Sequence, residues 1–103
     1  MISNIVQSYA EDMGATVIVV SGRDEQYRPE TVRWLHENDF FFDHIFMRPQ
    51  GDTRNDAIVK NELFENYIAG RYNIDFVLDD RNRVVAMWRA KGLKVLQVAE
   101  GDF

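Results

Sequence analysis

Three short stretches of this 103-residue sequence carry side chains suited to phosphate and metal chemistry. The run Val20-Ser21-Gly22-Arg23 sets a hydroxyl and a guanidinium directly after an apolar segment, and Leu78-Asp79-Asp80-Arg81 sets two adjacent carboxylates and a guanidinium after another. A Ser hydroxyl with the backbone N–H groups of a turn suits phosphate oxygens, while adjacent carboxylates suit a hard cation such as Mg²⁺, which takes oxygen ligands and keeps several waters. Asp56 and Lys60 stand four residues apart and share one face of a helix. A lysine there can stabilise negative charge on a transferring phosphoryl group. Each feature also has a plainer reading: a Ser-Gly turn can be an ordinary loop, Asp-Asp before a helix can be a cap, and Asp56 with Lys60 can be a surface ion pair.

The surrounding pattern must position these groups. Ile2, Ile5, Val6, Tyr9 and Met13 fall at helical spacing, with Asn4 and Gln7 in a capping-box relation and Gly14 as a stop. Residues 15–20 form a β-branched run with no polar interruption, the pattern of a strand covered on both faces and ending at Ser21-Gly22-Arg23. Pro29 suits the first turn of a helix that carries Val32, Trp34 and Leu35 inward and runs out at Asn38. A second strand lies within Phe40–Met47. After Pro49-Gln50-Gly51, Asp52 or Thr53 can cap a long helix reaching about Ala69, stopped by Gly70. Ile74–Leu78 reads as a third strand, Val84, Val85 and Trp88 as a helix stopping near Gly92, and Leu93–Val98 as the last strand. This alternation predicts one α/β domain, residues 1–103, with a mainly parallel sheet. In such sheets, sites form beyond the C-terminal ends of strands, so the Ser21 and Asp79 clusters are expected on the same sheet edge.

Composition narrows the function classes. Twelve Lys+Arg against 17 Asp+Glu give a net charge of −5, and no cysteine is present. No thiolate zinc site, disulfide framework or thiol nucleophile can form, which fits a cytoplasmic protein. The apolar run at residues 15–20 falls far short of the roughly 20 residues of a membrane span. An acidic balance disfavours tracking along long nucleic-acid backbones but permits a local pocket for one strand end. His36 and His44 lack further ligands at metal spacing and read as surface or capping residues. Phe40-Phe41-Phe42 reads as a core-covering stretch, with base stacking as the alternative, and Trp34 and Trp88 read as helix-to-sheet packing.

Taken together, the order of a Ser after a strand, a Lys from a later helix and an acidic pair after another strand resembles the second, third and fourth motifs of the haloacid-dehalogenase superfamily. More specifically, Val19-Val20-Ser21-Gly22-Arg23, Gln50-Gly51-Asp52-Thr53-Arg54, Asp56 to Lys60, Asp79-Asp80-Arg81, Met87-Trp88-Arg89 and Gln97 to Phe103 resemble the phosphatase domain of phage polynucleotide 5'-kinase/3'-phosphatases, from about Ile5 to Phe103. The resemblance implies a Rossmannoid three-layer sandwich and a Mg²⁺-dependent phosphatase that forms an aspartyl-phosphate and acts on nucleic-acid 3' ends. By motif position, Ser21 with Gly22 would bind the phosphate and Arg23 would contact phosphate or nucleic acid. Lys60 would neutralise developing charge, Asp56 would hold Lys60, Arg81 would orient substrate, and Asp79 and Asp80 would hold the metal.

The sequence also departs from that family. Its first motif, Asp-x-Asp-Gly-Thr, supplies the nucleophile and a general acid, and no Asp-x-Asp occurs in these 103 residues. The Gly-x-x-x-x-Gly-Lys-Ser/Thr loop of a kinase half is absent from them too. The expectation is therefore the C-terminal part of a longer phosphatase, silent by itself and lacking the central strand. That strand would lie between the Ser21 and Asp79 strands, leaving the edges at Val17, Val19, Phe76 and Leu78 open to self-association or to pairing with an N-terminal segment. The alternatives are a non-catalytic module that binds phosphate or nucleic-acid ends, a superfamily phosphatase for small phosphate esters, and a structural fragment.

Overall fold

The computed structural model describes residues 2–99 and 101, with side chains from Ile5 onward. The side chains of Ile2 and Asn4, and Glu100, Asp102 and Phe103 of the closing run, lie outside the described residues. The chain divides at Asp52/Thr53 into two compact units. The first holds α1 (Ile2–Met13), β1 (Ile18–Asp24), α2 (Arg28–Glu37) and β2 (His44–Arg48); the second holds α3 (Asp56–Tyr67), β3 (Val77–Asp79), α4 (Asn82–Ala90) and β4 (Val95–Gln97). Each unit thus runs α-β-α-β. The strands pair in parallel, β1 with β2 and β3 with β4. Parallel neighbours need a crossover, and α2 and α4 supply it.

The alternation and the parallel pairing follow the sequence reading, and the strands form two two-stranded ladders among the described residues. Within those ladders β1 and β3 each have a single strand partner. No helix among the described residues is long and apolar enough to cross a membrane.

In the first unit, α1 ends as its pattern predicts, with Gly14 at φ 64°. Strand β1 is displaced relative to the apolar run: it begins at Ile18 and continues through Ser21, Gly22 and Arg23 to Asp24. Side-chain chemistry accounts for the late start. The Val17 N–H donates to Asp43 Oδ2 at 2.7 Å, so a carboxylate takes the place of a ladder acceptor. Trp34, expected to face inward, is 59% exposed, as helical spacing alone does not say which part of a wide apolar stripe is covered. Among the described residues of this unit the buried side chains are Thr31, Met47 and Arg48. His36 is exposed and stacks against Phe41 and Phe42, each at 5.6 Å between ring centroids.

The second unit has a more continuous core. Val84, Val85, Trp88 and Val95 form its centre, with Ala57, Phe64, Val77, Met87 and Leu93 packed against them. Phe64 meets Trp88 edge-on at 5.5 Å, a favourable quadrupole geometry. Helix α3 is capped by Asn55, whose Oδ1 accepts the Ala57 N–H at 2.8 Å. Asp52 and Thr53, the expected caps, precede that position; the backbone carbonyl of Asp52 instead accepts from Arg48. Val84 is fully buried, so Val84→Ala should destabilise the protein by about 2 kcal/mol, from lost transfer energy plus the cavity left behind. Denaturant unfolding with an unchanged slope would measure it.

Candidate functional site

The Ser21 cluster is built on a break in the β1–β2 ladder. Ile18 to Ser21 match His44 to Met47 one for one, and the next matched pair is Asp24 with Arg48, leaving Gly22 and Arg23 outside the register. Such a bulge re-aims side chains at a strand end. Ser21 Oγ accepts the Arg23 N–H at 3.1 Å, which leaves its hydroxyl hydrogen free to point at a ligand oxygen. Arg23 is exposed, and its guanidinium carbon lies 5.7 Å from the centroid of the Tyr27 ring.

Asp24 closes this segment. Its Oδ1 accepts the Gln26 N–H and its Oδ2 the Gly51 N–H, both at 2.9 Å. These two backbone donors, Gln26 foremost, hold its carboxyl below the usual 3.8, and the charge of Arg48 adds to the effect against partial loss of water. Glu25 is likewise lowered by its hydrogen bonds to Arg28, which also donates to the Ile45 carbonyl at 3.3 Å and ties the turn after β1 to β2.

In the second unit the Asp79 carboxylate gathers three donors. Lys60 Nζ and Trp88 Nε1 each reach Oδ2 at 3.2 Å, and the Asp80 N–H reaches Oδ1 at 2.9 Å. The Lys60 and Asp79 side chains are 15% and 10% exposed, so this is a largely desolvated pair rather than a surface one. The pairing differs from the one that spacing suggests: Lys60 forms its ion pair with Asp79, while Asp56 forms one with Arg81. An i,i+4 relation permits a contact, but a β-strand carboxylate facing the helix competes for the same ammonium. Asp80 is exposed, and its carbonyl accepts from Gln97 Nε2 at 2.9 Å, with Gln97 also donating to Asn82 Oδ1 at 2.6 Å.

These contacts decide against the plain reading of Asp79-Asp80 as a helix cap. The N-cap of α4 is Arg81 and makes no side-chain cap hydrogen bond. Instead the pair stands at the C-terminal end of β3, one carboxylate held by a lysine and an indole and the other exposed. Among the described residues no group of three or more His, Cys, Asp or Glu side chains gathers as a metal cage. Trp88, Gln97, Asp24 and Arg48 complete these two clusters; Asp24 and Arg48 escaped the sequence reading, which gave Trp88 and Gln97 no hydrogen-bonding role. Trp88 was marked by its apolar period and by the Met87-Trp88-Arg89 stretch, neither of which says that its indole donates to Asp79, and Asp24 directly follows the Ser21 motif.

Parallel strands joined by helices, with a hydroxyl and a guanidinium after one strand and a carboxylate pair after another, define a haloacid-dehalogenase-like α/β protein. The chain belongs to the polynucleotide kinase PNKP phosphatase domain family, whose sequence pattern it matches over residues 1–103. It is 40% identical over 79 residues, 73% of its length, to a putative bifunctional polynucleotide kinase/RNA ligase of Autographa californica nuclear polyhedrosis virus, of which it covers 11%. It superimposes with a TM-score of 0.90 at 44% identity on a chain of the solved Pnkp1/Rnl/Hen1 RNA repair complex, matching 96% of its own residues and 32% of that chain. A second structure of a Pnkp1/Rnl/Hen1 complex gives the same TM-score and identity, with 35% of that chain covered. The chain therefore spans about a third of those solved chains and about a tenth of the viral relative.

The lowered Asp24 has a consequence for stability. A carboxylate whose pKa falls on folding stabilises the folded state at every pH above its unfolded value, and that contribution fades as the pH drops through the lower folded one. Asp24→Asn should lower the melting temperature near neutral pH, with a difference from the parent protein that shrinks below about pH 3.8. Calorimetry across an acid series would show the convergence.

Proposed function

We propose that the chain is part of a Mg²⁺-dependent polynucleotide 3'-phosphatase that repairs nucleic-acid ends in the cytoplasm, its residues 1–103 forming the C-terminal part of one phosphatase domain. The observation that carries this reading is the Asp79 carboxylate, held by Lys60 and Trp88 beside an exposed Asp80 that caps no helix. Family membership supports the substrate class.

The donor set fits the metal. Mg²⁺ is commonly bound through one or two carboxylates, with waters and substrate phosphate completing its shell, and adjacent Asp79 and Asp80 offer that number of hard oxygens. Bound there, the ion would polarise a phosphate oxygen and offset the charge of the transferring group. Lys60, a largely desolvated cation, would act on the same charge, and its ion pair with Asp79 holds the ammonium in place before substrate arrives. Asp56 would position Arg81, and Arg81 would orient the substrate strand. Ser21 would donate its hydroxyl hydrogen to a phosphate oxygen, with Gly22 leaving room for close approach and Arg23 meeting the phosphate or the strand end.

In the proposed route a carboxylate attacks phosphorus, the P–O bond to the 3' oxygen breaks, that oxygen takes a proton, and water then hydrolyses the acyl phosphate. The nucleophile is not among these residues, which hold no Asp-x-Asp. That absence favours a second reading for the 103 residues alone, a phosphate-binding module. The segment that bears the nucleophile, or a second copy of the chain, would add a strand to one of these two-stranded ladders.

The 103 residues alone should release no phosphate from a 3'-phosphorylated oligonucleotide with Mg²⁺. The intact protein should turn it over, with Lys60→Ala slower by roughly 10²- to 10³-fold and Asp79→Asn inactive. Faster turnover of a small phosphate ester than of the oligonucleotide would move the assignment to that substrate class, and normal turnover by both variants would overturn the site.

A further inference from the structure

The first unit contains a buried guanidinium to which the proposed function assigns no task. Arg48, at the end of β2, is 9% exposed, although a charge so placed is costly unless its donors are used. Its Nε donates to the Gly22 carbonyl at 2.6 Å, and its NH1 donates to the Asp52 carbonyl at 3.2 Å, with the Asp52 carboxylate 3.9 Å away. One side chain therefore fastens the middle of the Ser21-Gly22-Arg23 bulge to the turn after β2. Asp24 makes the reciprocal tie from the other side: its Oδ2 receives the Gly51 N–H at 2.9 Å and its Oδ1 the Gln26 N–H. Gly51 presents that N–H at φ +81°, a backbone conformation that a residue with a Cβ rarely adopts.

We infer that Arg48 and Asp24 are positioning residues that lock the Ser21-Gly22-Arg23 bulge in the shape that takes a phosphate group. The inference rests on the reading of Ser21 as a phosphate ligand and extends it to two residues that lie outside the sequence motifs at Ser21, Lys60 and Asp79. Gly22 and Arg23 have no register partner on β2, so the ladder alone does not fix them. The Arg48 bond to the Gly22 carbonyl replaces a missing ladder contact, and the Gly51 N–H holds the side chain of Asp24, where the register resumes. The first acts on the peptide unit that carries the Arg23 N–H accepted by Ser21 Oγ and the second anchors the next residue along, and so together they set where the Ser21 hydroxyl hydrogen can aim. A lysine at position 48 would keep the charge yet lose the planar fork that reaches Gly22 and Asp52 together.

The test uses the intact protein, with phosphate release from a 3'-phosphorylated oligonucleotide and amide hydrogen exchange over residues 21–24. A phosphate ligand common to ground and transition states governs KM, so Arg48→Lys should raise KM about tenfold while kcat changes less than about threefold. Exchange over residues 21–24 should quicken by a similar factor. Asp24→Asn should shift both readouts the same way, and it carries the test if position 48 variants fail to fold. Melting curves identify the folded fraction, to which the rates are normalised. If Ser21→Ala raises KM while Arg48→Lys and Asp24→Asn alter only the melting temperature, the two residues are merely structural and the inference falls, with the phosphatase reading intact. If the wild-type protein releases no phosphate, or Ser21→Ala leaves KM unchanged, the reading falls and takes the inference with it.

Discussion

A carboxylate in a largely desolvated position cannot stand alone, and the second unit is organised around that constraint. Asp79 is the last residue of β3, where the apolar strand meets the polar strand end, and its charge is matched by an ammonium, an indole N–H and a backbone N–H. Each donor comes from a different element: Lys60 from α3, Trp88 from α4 and Asp80 from the segment between β3 and α4. Removing the carboxylate would leave all three without this partner. The hydrophobic core answers to the same geometry, since the Trp88 ring is buried among Val84, Val85 and Val95 while its nitrogen faces Asp79. Packing thereby fixes the position of a polar group, and the polar group fixes the orientation of the helix that packs.

The first unit solves a related problem with backbone groups. A strand that ends in a bulge leaves carbonyls and N–H groups without ladder partners, and these must be satisfied by side chains. Arg48 meets that need for the Gly22 carbonyl, and Asp24, its register partner, accepts the N–H groups of Gln26 and Gly51 in the turns that follow the two strands. The two units thus follow one design, in which a parallel strand pair ends in a polar cluster held by charged side chains from neighbouring segments. Membership of the polynucleotide kinase PNKP phosphatase domain family gives the design its context.

Much of this was legible in the sequence, for identifiable reasons. Helix α1 carries a strong apolar period and ends at its glycine stop, whereas the capping box read at Asn4 and Gln7 lies inside the helix, where Gln7 Oε1 accepts the Phe41 N–H instead. The order of elements and the parallel pairing followed from the alternation of short apolar runs with helical ones. Strand limits were harder to read: the Val17 N–H donates to the Asp43 carboxylate, 26 residues away, which no local pattern encodes. Trp34 failed for another reason, since a periodic pattern reports a stripe but not how much of it is covered. Asp56 and Lys60 illustrate the limit of helical spacing, because the ammonium is taken by a strand residue 19 positions later. Trp88 reads from sequence as core and from structure as core and hydrogen-bond donor at once.

The central proposal is that Asp79, held by Lys60 and Trp88, is the point at which this chain would meet a divalent cation. Amide and indole resonances of the intact protein, recorded while Mn²⁺ is added as a paramagnetic substitute for Mg²⁺, address it directly. Broadening should be steepest at the N–H groups of residues 79–81 and at the Trp88 indole, and should be lost in Asp79→Asn. Broadening centred elsewhere in the chain, or unchanged by that substitution, would contradict it.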